Sequence, residues 1–374
     1  MLRFAELLPL IQLCNAVYVI QDAYTPSNFF DMFDFFTGPD PTQGFVKFVD
    51  QTTALSAGMI SQDNTSVRFG VDFKTMNPEG GRSSIRLESK NTYNQGLIIL
   101  DLAHMPGGIC GTWPAFWTIG PEWPSNGEID ILEGVNSQVA DAMTLHTGPG
   151  CSINSSGNER FTGSVKTSNC DVQAPGQGAN VGCGIVTNDT TTYGDGFNDI
   201  GGGVYATEWT ADTISIYHFA RANVPADISS GAPTPSSWGE PLAVFSGCNF
   251  QEAVKNQTII FDTTFCGQWA GQDSVWRADP VCSQKAATCQ EFVSNNPTDF
   301  ANAYWEVNSL KIYRQQDTGY IGQSPIPTPQ PSPAESSSSD IATLAPTEST
   351  GIPLIVSTMN TFSTMVQKHC SCHY

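Results

Sequence analysis

Between residues 17 and about 320 the chain never sustains a helical period. It offers instead short β-branched and aromatic runs: Val67 to Phe73, Ser84 to Leu87, Gly96 to Leu102, Ile129 to Leu132, Ala142 to His146, Tyr205 to Trp209, Ile214 to Phe219, Thr258 to Phe261 and Tyr304 to Tyr313. Gly, Asn, Pro and Asp stand between them, as they do at turns. Many short strands, with no long helices between them, predict one all-β sandwich of two antiparallel sheets. Composition agrees, with 14% charged residues, 34 Gly and 24 Pro in 374 residues. Residues 147–203 read as one long Gly/Ser/Asn-rich loop, and a loop of that length must be functional or tied down. Cys151, Cys170 and Cys183 lie in it as candidate ties.

The ends and the charge set further limits. Acids outnumber bases 36 to 16, for a net charge of −20, which repels phosphates and argues against nucleic acid and anionic membrane partners. No run of 18 apolar residues predicts a spanning helix. At the N-terminus Arg3, the apolar run Leu7 to Leu13 and Ala16 read as a secretory leader over residues 1–16, interrupted by Glu6, Pro9 and Gln12. Of 11 cysteines, eight lie between Cys110 and Cys289 and none forms a Cys-x-x-Cys pair, so disulfides are expected rather than zinc. Their pairing is open, with on the order of a hundred arrangements. Sequons at Asn64, Asn154, Asn188 and Asn256 fit the same extracellular location, free or at a cell wall. From Ser324 to Thr350, 17 of 27 residues are Ser, Thr or Pro, the composition of a linker rather than a core. The tail 351–374 has an apolar run too short for a lipid anchor. Its ending, His369 to His373, carries metal-type side chains but reads as an inert tail. The expected organisation is thus a leader (1–16), one domain (17–320), a linker (324–350) and a tail (351–374), in a monomer without metal or cofactor.

The run Gly127-Glu128-Ile129-Asp130-Ile131-Leu132-Glu133-Gly134 carries chemistry. On a regular strand Glu128 and Asp130 share one face, and Glu133 has the wrong parity. One extra residue near Ile131–Leu132, a β-bulge, returns Glu133 to the acid face. Three like charges on one face repel, so they make poor structural sense beyond a solvated edge strand. Upstream stand Trp113, Trp117 and Trp123. Indole faces stack on the CH faces of a pyranose, while carboxyls act on a glycosidic oxygen; core packing is the bland alternative for each tryptophan.

Gly96 to Pro106, Trp113-Pro-Ala-Phe-Trp117, the Glu128-to-Glu133 run and Thr144-Leu-His146-Thr resemble glycoside hydrolase family 16, most closely its laminarinase branch. Tyr24 to Phe33 and Ala303 to Asn308 resemble it too, and the likeness covers about residues 18–314. The resemblance implies a β-jelly-roll sandwich with a concave substrate cleft, and hydrolysis of β-glucan with retention of configuration. It implies Glu128 as nucleophile, Glu133 as general acid/base and Asp130 as the assisting residue between them. It places His146 on the cleft face and makes Trp113, Trp117 and Trp123 candidate sugar platforms. Retention asks for two carboxyls about 5–5.5 Å apart, one ionised and one protonated.

Other residues are assigned more modest parts. Glu208-Trp209 and Trp305-Glu306 read as structural strand positions or the cleft edge, and Gln268, Trp269 and Trp276 as a Cys-bracketed loop able to line the cleft. Asp262, Asp273 and Asp279 fit no calcium-loop spacing and read as solvated loop acids. The leading activity is an endo-glucanase cutting β-1,3 and mixed β-1,3/1,4 bonds. A cell-wall transglycosylase would use the same acids. A glucan-binding protein on the same fold typically lacks the two glutamates that are present here.

Overall fold

The computed structural model describes residues 17–153 and 160–316. The leader with Cys14, the sequon at Asn154, the last residues of the expected domain, the linker and the tail with His369 to His373 lie outside the described residues. Nearly all of the rest is strand, turn and short helix, in two eight-stranded sheets whose strands all pair antiparallel.

In chain order of neighbours, the first sheet runs Ala243–Phe245, Ile214–Ala220, Gly203–Trp209, Gly96–His104, Tyr304–Gln316, Val67–Gly70 and Ile60–Gln62. Val17–Tyr24 adds itself along Tyr304–Gln316. The second runs Ser164–Thr167, Cys183–Val186, Ala142–His146, Glu128–Glu133, Thr112–Ile119, Gln257–Phe265, Arg86–Tyr93 and Phe33–Phe35. A separate parallel pair joins Val46–Phe48 to Arg82–Ser84.

Strand alternation builds the core. Ile98, Leu100, Leu102, Val307, Leu310 and Ile312 of the first sheet meet Leu87, Phe116, Ile129, Leu145, Ile259 and Phe261 of the second in one buried cluster. Aromatic contacts fill its middle: Phe261 lies 4.6 Å from Phe116 and 5.5 Å from both Phe69 and Trp305, centroid to centroid. The unbroken apolar run after Gly96 is explained by burial on both faces. Leu97 and Ile99 point the other way, into a cluster with Tyr18, Tyr217, Ile228 and Tyr313. A third cluster, around Phe265, Trp276, Phe292 and Phe300, packs the short helices Asp273–Ala278 and Cys289–Asn295.

The stretch 147–203 is not one loop. It contributes two strands to an edge of the second sheet, then the helix Gly194–Asp199. Their sequences, Ser164-Val-Lys-Thr and Cys183-Gly-Ile-Val, are too short and too apolar-poor to announce themselves; Cys183–Val186 is ordered by pairing with Ala142–His146, and Ser164–Thr167 by pairing with Cys183–Val186. The eight clustered cysteines form four disulfides: Cys110–Cys282, Cys151–Cys248, Cys170–Cys183 and Cys266–Cys289. Two of them tie the 147–203 stretch. Cys110–Cys282 joins residues 172 apart, so it removes the most freedom from the unfolded chain. Replacing both partners with Ser is expected to lower unfolding free energy by about 2–5 kcal/mol, read from denaturant midpoints.

Candidate active site

The acid run occupies the strand Glu128–Glu133, between Thr112–Ile119 and Ala142–His146. Glycines bracket it for steric reasons. Gly127 adopts φ +75°, and a Cβ there would come within 2.7 Å of the Ala253 carbonyl; a Cβ on Gly134 would strike the Tyr193 ring at 2.7 Å. Glu128 pairs with Ile119 and Asp130 with Trp117. The register then slips, so that Leu132 pairs with Phe116 and Glu133 with Ala115. Ile131 is the extra residue of a β-bulge. Ile131 and Leu132 both enter the core, and Glu133 returns to the face of Glu128 and Asp130.

That face points away from the core and gathers side chains from five strands. His146 pairs with Glu128, and its Nε2 lies 3.1 Å from Asp130 Oδ2 and 3.9 Å from Glu128 Oε1. Trp113 Nε1 donates to Glu133 Oε1 at 2.7 Å. Trp117 is half-buried beside Asp130, with the Arg86 guanidinium 5.1 Å from its ring. Trp123 is the most open of the three tryptophans, 38% exposed. One ligand atom each from Glu128, Asp130 and His146 falls within 4.8 Å of the others, the one grouping among the described residues able to hold a metal.

Burial, then the charge of Asp130, pushes the Glu128 carboxyl up to about 8, while His146 and the Trp123 indole pull it down. Asp130 and Glu133 are held well above the usual carboxyl range, burial being the main cause for both. Asp262 adds to the rise at Asp130, and Asp130 to that at Glu133. The cluster therefore takes up protons more readily than free carboxyls do. The Trp113 hydrogen bond works the other way, because an indole donor favours the ionised form of Glu133. Trp113→Phe is expected to cut turnover about tenfold and move the basic limb of the pH profile upward, measured as kcat/KM against pH.

Several residues sit elsewhere than the sequence suggested. Asp262 is not a solvated loop acid. It lies on Gln257–Phe265, 7% exposed, 3.7 Å from Arg86, and burial pushes it up to about 7. Asp279 is a loop staple, accepting hydrogen bonds from Ser137, Val281 and Cys282. Asp273 is exposed beside Arg277. Trp276 is buried in the helical cluster and donates to the Ala286 carbonyl, so it does not line the site. Gln268 is exposed, while Trp269 meets Trp113 edge to face at 5.5 Å and extends its aromatic wall. Trp209 and Trp305 belong to the core; Glu208 bonds Tyr18 and Glu306 accepts from Ser66, both on the first sheet. Sequence reasoning missed Arg86, Glu88 and Asp141. Arg86 and Glu88 alternate onto the acid face, with Arg86 bonded to Glu88 at 2.8–2.9 Å.

Comparison with known proteins gives three kinds of likeness. A family model described as "XgeA-like, catalytic GH16 domain" matches residues 33–313. An endo-1,3(4)-beta-glucanase of Arthroderma benhamiae is 50% identical over 309 residues, 82% of this chain and 67% of that one. Endo-1,3(4)-beta-glucanase xgeA of Emericella nidulans is 43% identical over 310 residues, 81% of this chain and 48% of that one. The chain thus spans about half to two thirds of the length of these relatives. Among solved structures, GH16 Laminarinase 16A from Phanerochaete chrysosporium, holding two beta-glucans in donor and acceptor sites, aligns with a TM-score of 0.74 at 39% identity, over 80% of this chain and all of that one. An elongating GH family 16 beta-1,3-glucosyltransferase aligns with a TM-score of 0.73 at 40% identity, over 79% of this chain and all of that one.

Proposed function

The chain belongs to glycoside hydrolase family 16, and from that premise we propose that it is an endo-β-glucanase cutting internal β-1,3 and mixed β-1,3/1,4 glucosidic bonds with retention. The observation that carries this reading is the bulged strand, which turns Glu128, Asp130 and Glu133 to one face beside His146 and three tryptophans. Glu128 is the nucleophile, Glu133 the general acid/base and Asp130 the assisting residue. In the first step the Glu128 carboxylate attacks the anomeric carbon, the glycosidic bond breaks, and Glu133 gives its proton to the departing oxygen. In the second, Glu133 takes a proton from water, the hydroxide oxygen bonds to the anomeric carbon, and Glu128 leaves as carboxylate. Asp130, whose carboxyl burial and Asp262 push upward, shares a hydrogen bond with Glu128, so that the two carry one negative charge between them. Trp117 and Trp113 stack on sugar rings to either side.

A relative that elongates β-1,3-glucan favours one second reading, in which a sugar hydroxyl replaces water in the second step. A secreted monomer is the setting that fits. Four disulfides and exposed sequons at Asn64, Asn188 and Asn256 support an oxidising, glycosylating route. The test is incubation with laminarin, lichenan and carboxymethyl cellulose, following reducing ends, product sizes and the anomer first released. Short β-anomeric oligosaccharides from the first two substrates are expected. Longer chains with unchanged reducing ends mean transfer; retention on insoluble glucan without products means a binding protein.

A further inference from the structure

Asp141 is fully buried, in the turn between Glu128–Glu133 and Ala142–His146. Its Oδ1 accepts the backbone N–H of Glu133 at 3.0 Å, where the bulge returns the strand to register. Its own N–H donates to Thr192 Oγ1 at 3.2 Å, and its carbonyl accepts from the Thr187 N–H. One residue thereby fastens the bulge to the segment 187–193, its carboxyl holding the bulge and its backbone the segment. Oδ2 has no hydrogen-bond partner among the described residues, nor has the hydroxyl of Tyr193, also fully buried.

The groups facing Asp141 are Glu133 and Asp130 from the acid strand, Tyr205 from the opposite sheet and Tyr193 from the 187–193 segment, with Asp189 beyond Tyr205. All are acidic or hydroxylic. The Tyr205 hydroxyl has one proton to share between the Thr192 carbonyl at 2.5 Å and the Asp141 carboxyl. Against a buried carboxylate there would be only the Glu133 and Ala142 N–H groups and that shared hydroxyl, with no cation facing it. Burial pushes this carboxyl well above its usual range, in the same direction as the geometry.

We propose that Asp141 is a positioning residue, neutral throughout the working pH range, that fixes the bulge and so aims Glu133 without placing a charge behind it. The neutrality matters because Glu133 loses and regains one proton in each turnover. A carboxylate behind its backbone would penalise the ionised half of that cycle. This inference rests on the reading of Glu133 as general acid/base.

The test uses Asp141→Asn and Asp141→Ala in the full chain. Asn reproduces a neutral carboxyl's acceptor and donor. It is expected to keep kcat within about threefold, with the basic limb of the laminarin pH profile unmoved. Ala loosens the bulge and is expected to lose about 10–100-fold in kcat with KM nearly unchanged. A second arm needs no activity. A carboxyl neutral when folded and ionised when unfolded takes up a proton on folding, so stability falls as pH rises above about 4. Tm should therefore drop less between pH 5 and pH 8 in Asp141→Asn than in the parent protein. The proposal is overturned if Asn is as impaired as Ala, if Asn lowers the basic limb, or if the Tm drop is unchanged. Should Ala not fold, the Asn profile and Tm drop still decide. If the parent protein leaves laminarin intact, the glucanase reading fails while the Tm comparison still judges Asp141.

Discussion

Glu128→Gln is expected to reduce kcat/KM on laminarin by about 10⁴-fold or more while making the protein more stable at neutral pH. The activity loss follows from chemistry. An amide of the same shape cannot form the ester to the anomeric carbon. The stability gain follows from the carboxyl being held up to about 8 in the fold against the usual carboxyl range when unfolded. An acid with a raised folded pKa stabilises the fold only while protonated, so its contribution is present near pH 4 and is lost as pH climbs to about 8. Gln has no proton to lose. The variant should match the parent near pH 4 and exceed it by about 1–3 kcal/mol at pH 7–8, since the 17% exposed side chain is partly screened. Denaturant unfolding at the two pH values checks the sign. Equal stability at both would mean that Glu128 is not held up, and near-normal turnover would remove it as nucleophile.

Glu133→Ala is expected to separate the two chemical steps. Unactivated glucans need a proton on the departing oxygen and should slow by about 10²–10⁴-fold. Aryl glycosides with acidic phenol leaving groups need none in the first step and should lose far less. The glycosyl-enzyme then waits for a base, and added azide, which needs none, should restore turnover and give the β-glycosyl azide. The same nucleophile added to Glu128→Ala should give the α-azide instead, because there only one displacement occurs. Product stereochemistry by proton NMR therefore distinguishes the two glutamates. Identical azide products from both variants would remove the assignment. Trp113 bonds Glu133 at 2.7 Å, so Trp113→Phe should show a mild form of the same defect and keep the leaving-group dependence.

The core of this architecture was legible because alternation is a local signal. Each strand had only to show which side chains share a face, and the double-sided run after Gly96 showed that it packs on both. The acid strand was legible for the same reason. Parity alone required one extra residue between Asp130 and Glu133, and the register slip falls there. The strands at Ser164–Thr167 and Cys183–Val186 were not legible, since neither carries enough apolar residues to declare a face before a neighbour supplies one.

What the sequence determined by itself was therefore the strand pattern, the three acids on one face, and the presence of eight cysteines suited to disulfides. Only the tertiary structure decided which cysteines pair and which distant groups surround the acids. Arg86 and Asp262 are 176 residues apart in the chain and share the acid face because their strands are neighbours. Trp269 reaches Trp113, and Trp276 does not, because they stand on separate short helices, Gly267–Ala270 and Asp273–Ala278, and the second packs Trp276 against Phe292. Asp141 reads as an ordinary turn acid until Tyr193 and Tyr205 close over it. Electrostatics at such sites depends on burial and on neighbours brought by chain reversal, and neither is written in any local run of residues.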